Sequence, residues 1–162
     1  MDFTPLIAVG IFVILLLIIG RRYNKLSRTQ INDRQVYAAI RAYAELMKVD
    51  GEFHPNEAVL FEKFSNEEQK KLSTDYSQDS KEFKFVWAKE ENVFTSLKTC
   101  NETQLKNFFD NLFAMTVIDG KISEVEINLI NIFYKNITDT AVPAASKIVL
   151  AMFNDWKARN NF

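Results

Sequence analysis

The chain has 162 residues, of which 48% are hydrophobic and 13% aromatic, and its formal net charge is −1. This composition excludes a disordered chain, and the length suits one compact domain with a core plus one further element. Only four glycines and three prolines interrupt it, which favours long helices. The expected fold class is therefore all-α: an N-terminal transmembrane helix followed by a helical bundle.

The N-terminal segment is predicted to be a membrane anchor. Residues 3–20 hold eighteen residues without a charge, and as a helix they would reach roughly 27 Å, about the hydrocarbon thickness of a bilayer. A cleaved signal peptide is disfavoured, because no Lys or Arg precedes the apolar run and no small-x-small cleavage site follows it. We expect residues 1–28 to form an uncleaved single-pass anchor with a basic flank. The span is marked by Phe3, Pro5, Phe12, Leu16 and Gly20.

A basic cluster directly follows the apolar run and sets the expected topology. It consists of Arg21, Arg22, Lys25 and Arg28. Basic residues beside a span remain on the cytoplasmic side of the membrane. The N-terminus should therefore face outward, and residues 30–162 should form a cytoplasmic domain held at a bacterial inner membrane.

The remainder of the chain is mildly acidic. Residues 30–162 keep 16 of the 20 cations and 20 of the 21 acids, a net charge of −4. No basic cluster recurs beyond Lys70-Lys71, which argues against a nucleic-acid partner. The single cysteine, Cys100, cannot form an internal disulfide, and a reducing compartment suits it. We interpret it as a packing residue and not as a nucleophile.

An internal repeat organises this domain. A shift of 69 residues aligns residues 32–64 with 101–133 without a gap. In each copy an Asn followed by a Gln at the third position predicts a capped helix, and the apolar spacing i, i+4, i+7 continues it. An Asp-Gly pair ends that helix, and a Glu at N3 of the next helix acts as a cap. The matched pairs are Asn32 and Asn101, Gln35 and Gln104, Ile40 and Phe109, Tyr43 and Leu112, Leu46 and Met115, Asp50-Gly51 and Asp119-Gly120, and Glu57 and Glu126.

The second helix of each copy has its own start signal. In the first copy His54 is the expected N-cap and Pro55 the first helical residue, and in the second copy Ser123 is the expected N-cap. The second helix of the second copy carries more than one apolar stripe, so we expect it to be the central helix.

Four further segments are expected outside the repeat. A short helix should start at Ser65, and a polar loop should cover residues 74–80. A longer helix should follow over residues 81–99. The last helix should begin near Pro143 and bury one face. That face contains Val149, Met152, Phe153 and Trp156.

The two Asp-Gly turns are the candidate functional site. Their pattern, D-G-x-apolar-x-x-x-E, matches the second half of an EF-hand loop. The first two ligand positions would then be Leu46 and Lys48 in one copy and Met115 and Val117 in the other. None of these residues is a calcium ligand, so an EF-hand is excluded. The acids concerned are Asp50, Glu57, Asp119 and Glu126.

Three interpretations of these acids stay open. They can serve only as turn and capping residues, because an Asp near a Gly C-cap closes a turn and a Glu at N3 caps a helix. They can hold a divalent cation. They can also receive a basic side chain from a protein partner.

The stretches "VDGEFHPNE" at 49–57 and "IDGKISEVE" at 118–126 resemble the tellurite-resistance TerB family. They also resemble the membrane-proximal domain of the DjlA-type co-chaperones. The resemblance covers about residues 30–160 and implies an all-helical intracellular domain linked to envelope or chemical stress. Metal binding by the acidic turns has been proposed for such domains. J-domain activity is not implied, because His54-Pro55 is followed by Asn56.

Catalysis is not expected. The only histidine, His54, sits at a helix cap, and the chain has no G-x-S-x-G, Gly-rich phosphate loop or zinc spacing. We expect no cofactor, and a divalent cation is the alternative that the acidic turns leave open. The expected partners are the lipid bilayer and a membrane-associated protein, which makes the chain an adaptor or accessory subunit of a membrane complex, with a role in stress response. The alternative is a divalent-metal-responsive sensor.

Overall fold

The computed structural model describes residues 32–51, 54–72, 90–120 and 122–162, and every regular element in these ranges is a helix. This part of the chain confirms the all-α prediction. The predicted anchor and basic flank, residues 1–28, lie outside it, and none of the helices it contains is long and apolar enough to cross a membrane. The helices are α1 (32–46), α2 (Pro55–Gln69), α3 (Glu90–Leu97), α4 (Glu102–Val117), α5 (Glu124–Thr138) and α6 (Val142–Asn160).

Helices α1 and α4, the first helices of the two repeat copies, lie side by side and run in the same direction. Near their starts, Gln104 Nε2 donates a hydrogen bond to Gln35 Oε1 at 3.3 Å. Farther along, Asn111 Nδ2 donates to the Tyr43 hydroxyl at 3.1 Å, and the Tyr43 ring stacks on Phe108 with centroids 5.7 Å apart. Each contact joins positions that correspond closely in the two copies. The starts of the two helices are therefore close together, and so are their ends.

Helix α1 is the most enclosed element. Its residues are buried except for Asn32, Arg34, Arg41 and Glu45. The prediction that α5 is central is confirmed only in part. Helix α5 contacts α3, α4 and α6 but keeps one face exposed, because part of its apolar surface points away from the core.

The last helix closes the bundle. It starts at Val142 with a proline in its first turn and packs on α4 and α5. Val149, Phe153 and Trp156 are buried as the apolar spacing predicted, while Met152 is partly buried. The Phe153 ring lies 5.2 Å from the ring of Phe113 on α4, which ties the C-terminal helix to the centre of the core.

Three predicted segments differ from the structure or lie partly or wholly outside the described residues. No helix starts at Ser65, because α2 continues to Gln69. Ser65 is buried inside α2 and its Oγ has no hydrogen-bond partner. The helix passes through it since no Gly or Pro intervenes to end it. The predicted helix over 81–99 is described only over Glu90–Leu97, and the predicted loop 74–80 lies outside the described residues.

The two predicted Asn caps have different outcomes. Asn101 caps α4 with both halves of the box: Gln104 N donates to Asn101 Oδ1 at 2.9 Å, and Asn101 N donates to Gln104 Oε1 at 2.8 Å. Asn32 is already helical, so its predicted role as N-cap is wrong. The matching Gln35 is used differently, because its Nε2 donates to Thr99 Oγ1 at 2.8 Å.

Candidate functional site

Both Asp-Gly turns have the geometry that the sequence predicts. Gly51 has φ of 77° and Gly120 has φ of 79°, the left-handed region where a Cβ is disfavoured. The Gly51 N–H donates to the Lys48 carbonyl at 3.2 Å, and the Gly120 N–H donates to the Val117 carbonyl at 3.0 Å. Each glycine therefore reverses the chain at the end of a helix and leads it towards the start of the next helix.

Both glutamates cap a helix, as the sequence predicts. The Ser123 N–H donates to Glu126 Oε2 at 3.2 Å, and Ser123 Oγ accepts from the N–H of Val125 at 3.2 Å. In the first copy Glu57 accepts from the His54 backbone N–H, although the His54 side chain makes no capping bond. Glu57 and Glu126 are 5% and 4% exposed. Capping thus accounts for one buried carboxylate in each turn.

The structure brings the acids of the two turns together. Burial, together with the carboxylates of Glu57, Asp50 and Asp119, raises the pKa of Glu126 to about 7 against the lowering effect of its hydrogen bond from Ser123. The pKa of Glu57 is also raised, by burial and then by Asp50 and Asp119. The pKa of each glutamate is therefore raised by the aspartate of the other repeat copy. This follows from the parallel pairing of α1 and α4, whose ends carry the turns.

We call this set of four acids, Asp50, Glu57, Asp119 and Glu126, the acidic surface. Asp50 is exposed and Asp119 partly exposed, while the two glutamates lie beneath. Over the described part of the chain, no group of three or more His, Cys, Asp or Glu is arranged to hold a metal ion. The four carboxylates are close enough to repel one another but do not converge as a coordination shell. Such an arrangement suits a cationic group that approaches from outside.

Of the remaining candidates identified in the sequence, Cys100 lies apart from the acidic surface and His54 adjoins Glu57. Cys100 lines a cavity of about 320 Å³ that also contacts Gln35 and Gln104, near the starts of α1 and α4. Burial raises the pKa of its thiol to about 11, so the thiol is protonated at neutral pH and is a poor nucleophile. His54 precedes α2 as its N-cap, and its Nδ1 is buried without a hydrogen-bond partner.

An exposed apolar face that was not expected from the sequence lies next to the second turn. Ile122, Val125 and Ile132 are 51%, 49% and 48% exposed. Val125 and Ile132 lie on one side of α5, and Ile122 precedes that helix. The spacing is visible in the sequence, but apolar spacing alone does not show which face of a helix is covered.

No family model, curated protein or solved structure matches this chain. Its function is therefore inferred from its own residues and their geometry.

Proposed function

We propose that this protein is a membrane-anchored interaction module, similar to the TerB family, that binds a protein partner through the acidic surface and has no catalytic role. The observation that carries the proposal is that four acids from two separate turns lie close enough for their carboxylates to repel one another. These acids are Asp50, Glu57, Asp119 and Glu126. A Lys or Arg side chain of a partner is the protein group that such a surface would bind most readily.

Helix capping alone does not require this convergence. Glu57 and Glu126 would cap their helices equally well if the two turns were far apart. Burial raises the pKa values of Glu57 and Glu126, and the neighbouring carboxylates raise them further, so the repulsion reduces stability at neutral pH. A cationic partner would remove this penalty on binding, so a surface that destabilises the free protein favours the complex.

In this proposal the predicted anchor places the helical domain at the membrane. Residues 1–28 would hold the domain at the inner membrane with the N-terminus outside, because four cations follow the apolar run and none precedes it. A domain held there would act as an adaptor or accessory subunit of a membrane-associated complex. A role in stress response is what its resemblance to the TerB family implies.

A divalent-metal-responsive sensor is the second candidate. It is favoured by the raised pKa of Glu126 and Glu57, because a cation would relieve the same repulsion. The arrangement of the donors suits it less well, and water would have to supply most of the ligands, as it commonly does for Mg²⁺.

Co-purification of the full-length protein in mild detergent tests the partner hypothesis. We expect a stoichiometric membrane-associated protein to elute with the wild type and to be lost from the Asp50→Asn/Asp119→Asn variant. Glu62 and Glu67 are exposed acids of α2 outside the acidic surface, and Glu62→Gln/Glu67→Gln is the matched control that should keep the partner. Retention of the partner by the Asn variant would contradict the proposal.

Thermal melting tests the sensor hypothesis in the same preparation. The protein is melted with EDTA and then with Ca²⁺, Mg²⁺, Mn²⁺ or Zn²⁺. A ligand at 100 times its Kd adds about 2.7 kcal/mol to the free energy of unfolding. A shift of this size that disappears in Asp50→Asn/Asp119→Asn would favour the sensor. An unchanged melting temperature with all four metals would contradict the sensor hypothesis.

A further inference from the structure

Exposed apolar side chains form a stripe that begins just before α5 and continues along that helix. We call Ile122, Val125, Leu129 and Ile132 the α5 stripe. Three of them are about half exposed, and Leu129 is partly buried against the core. Steps of four and three residues place Val125, Leu129 and Ile132 on one face of α5, and Ile122 precedes the Ser123 N-cap. From Val125 to Ile132 the stripe extends about 10 Å along the helix axis.

The fold does not need apolar residues at two of these positions, Val125 and Ile132, whereas the first copy keeps apolar residues, Phe53 and Leu60, at the other two. The repeat places Asn56 of α2 where α5 has Val125, and Lys63 where α5 has Ile132. Both Asn56 and Lys63 are exposed. The same place in the same supersecondary unit thus accepts polar side chains in one copy, so stability of the bundle does not account for the apolar residues in the other.

The stripe adjoins the acidic surface. Ile122 lies three residues after Asp119, and it lines a shallow cavity of about 190 Å³ together with Glu124, Ile127 and Asn128. Residues 119–126 carry three acids and one lysine. An apolar face bordered by carboxylates would be repelled by the anionic headgroups of a membrane. Its charge instead complements a protein segment that is both apolar and basic.

We propose that the α5 stripe and the acidic surface form one docking face for an amphipathic helix of a partner protein. The apolar side of that helix covers the stripe, and its Lys or Arg residues reach the acids. Two helical turns, about 11 Å, match the length of the stripe along α5, and recognition of this kind relies on apolar anchors at i, i+3/i+4 and i+7. The inference rests on the proposed function and specifies its class of partner.

Residues exchanged between the two repeat copies provide the test. The variant Val125→Asn/Ile132→Lys installs in α5 the residues that α2 carries at the equivalent exposed positions. The matched control is Val142→Asn/Leu150→Lys on α6, which makes the same change in charge and polarity. The side chains of Val142 and Leu150 are 55% and 57% exposed. The full-length protein is placed in nanodiscs of uncharged phosphatidylcholine, and binding to empty nanodiscs is subtracted.

The probe is a synthetic helical peptide with leucines along one face and lysines along the other. We expect it to bind the wild type and the α6 control equally, and to bind the α5 variant at least about tenfold more weakly. A peptide with glutamate in place of each lysine should also bind at least about tenfold more weakly. Equal binding of the lysine peptide to the α5 variant and the wild type would overturn the inference.

A photo-crosslinking amino acid at Val125 or Ile132 of the full-length chain identifies the natural occupant in cells. A crosslink that maps to a basic amphipathic helix of another protein supports the inference. Crosslinks to a second copy, to lipid or to nothing overturn it. If Val125→Asn/Ile132→Lys keeps its co-purifying partner while Asp50→Asn/Asp119→Asn loses it, only this inference fails. If both variants keep the partner, the proposed function fails as well.

Discussion

Gln104 donates a hydrogen bond to Gln35 at 3.3 Å, and these two glutamines occupy the same position in the two copies of the repeat. Two repeat-related residues contact each other when an approximate two-fold axis passes between the helices that carry them. Here these helices are the parallel pair α1 and α4. The same relationship at the far end of the pair places the Asp50 turn beside the Asp119 turn. The duplication in sequence thus produces a single acidic surface from two separate turns.

The two repeat-related asparagines should contribute unequally to stability. Asn101→Ala removes the acceptor of a complete capping box and should lower the free energy of unfolding by about 1 kcal/mol. Asn32→Ala should lower it by less than about half as much, because Asn32 is itself helical, is not an N-cap, and is exposed. Urea denaturation of both variants measures the difference. Equal losses would show that Asn32 caps a helix after all.

The turn glycines are required for their backbone conformation and not for space. A Cβ built at Gly51 or Gly120 meets no atom within 4 Å, so steric contact with other residues adds nothing. Gly51→Ala and Gly120→Ala should each cost about 1 kcal/mol or more, since both positions have positive φ. Denaturant midpoints of the two variants measure this cost.

Asparagine at the same positions is the control for this interpretation. Asn tolerates the left-handed region better than Ala does, so Gly51→Asn and Gly120→Asn should lose less stability than the alanine variants. An alanine variant as stable as the wild type would show that the turn can adopt a different backbone conformation.

The free protein should become less stable as the pH rises through neutrality. The pKa of Glu126 is raised in the fold from 4.5 to about 7, so folding favours its protonated form. The stability linked to this group is fully present below about pH 4.5 and is lost as the pH rises through about 7. We expect the free energy of unfolding to fall by about 1–2 kcal/mol between pH 5 and pH 8.5. Thermal melts across this range measure the fall.

Glu126→Gln isolates the group responsible for this pH dependence. The amide keeps an acceptor for the Ser123 N–H but does not titrate, so the variant should show a flatter pH profile and exceed the wild type in stability at about pH 8. Glu62→Gln, at an exposed position of α2, should keep the wild-type slope. A Glu126→Gln variant with an unchanged slope would rule out Glu126 as the titrating group.

The predicted topology is tested by labelling in intact cells. A cysteine placed at Thr4 in a Cys100→Ser background should react with an impermeant thiol reagent, because four cations follow the span and none precedes it. A cysteine placed at Phe162 in the same background should not react. The reverse pattern would overturn both the N-out orientation and the cytoplasmic assignment.

Local signals in the sequence predicted local structure well. The Asn101 and Ser123 caps, the left-handed Gly51 and Gly120, and the buried face of α6 each depend on neighbouring residues. The convergence of the turns could not be derived in this way, because it depends on how α1 packs against α4. Two wrong predictions, a helix start at Ser65 and an N-cap at Asn32, also arose because local signals alone do not decide where a helix begins. A serine or asparagine can cap a helix, but Ser65 lies inside α2 and Asn32 is itself helical.

The most direct test of the acidic surface is complementation of a deletion strain by one variant, Asp50→Asn/Glu57→Gln/Asp119→Asn/Glu126→Gln. The amides retain oxygen acceptors for the helix caps and remove the repulsion among four carboxylates. We therefore expect the purified variant to melt at or above the wild-type temperature near neutral pH and yet to fail to complement. Full complementation by this folded variant would contradict a binding role for the acids and leave them as turn and capping residues only.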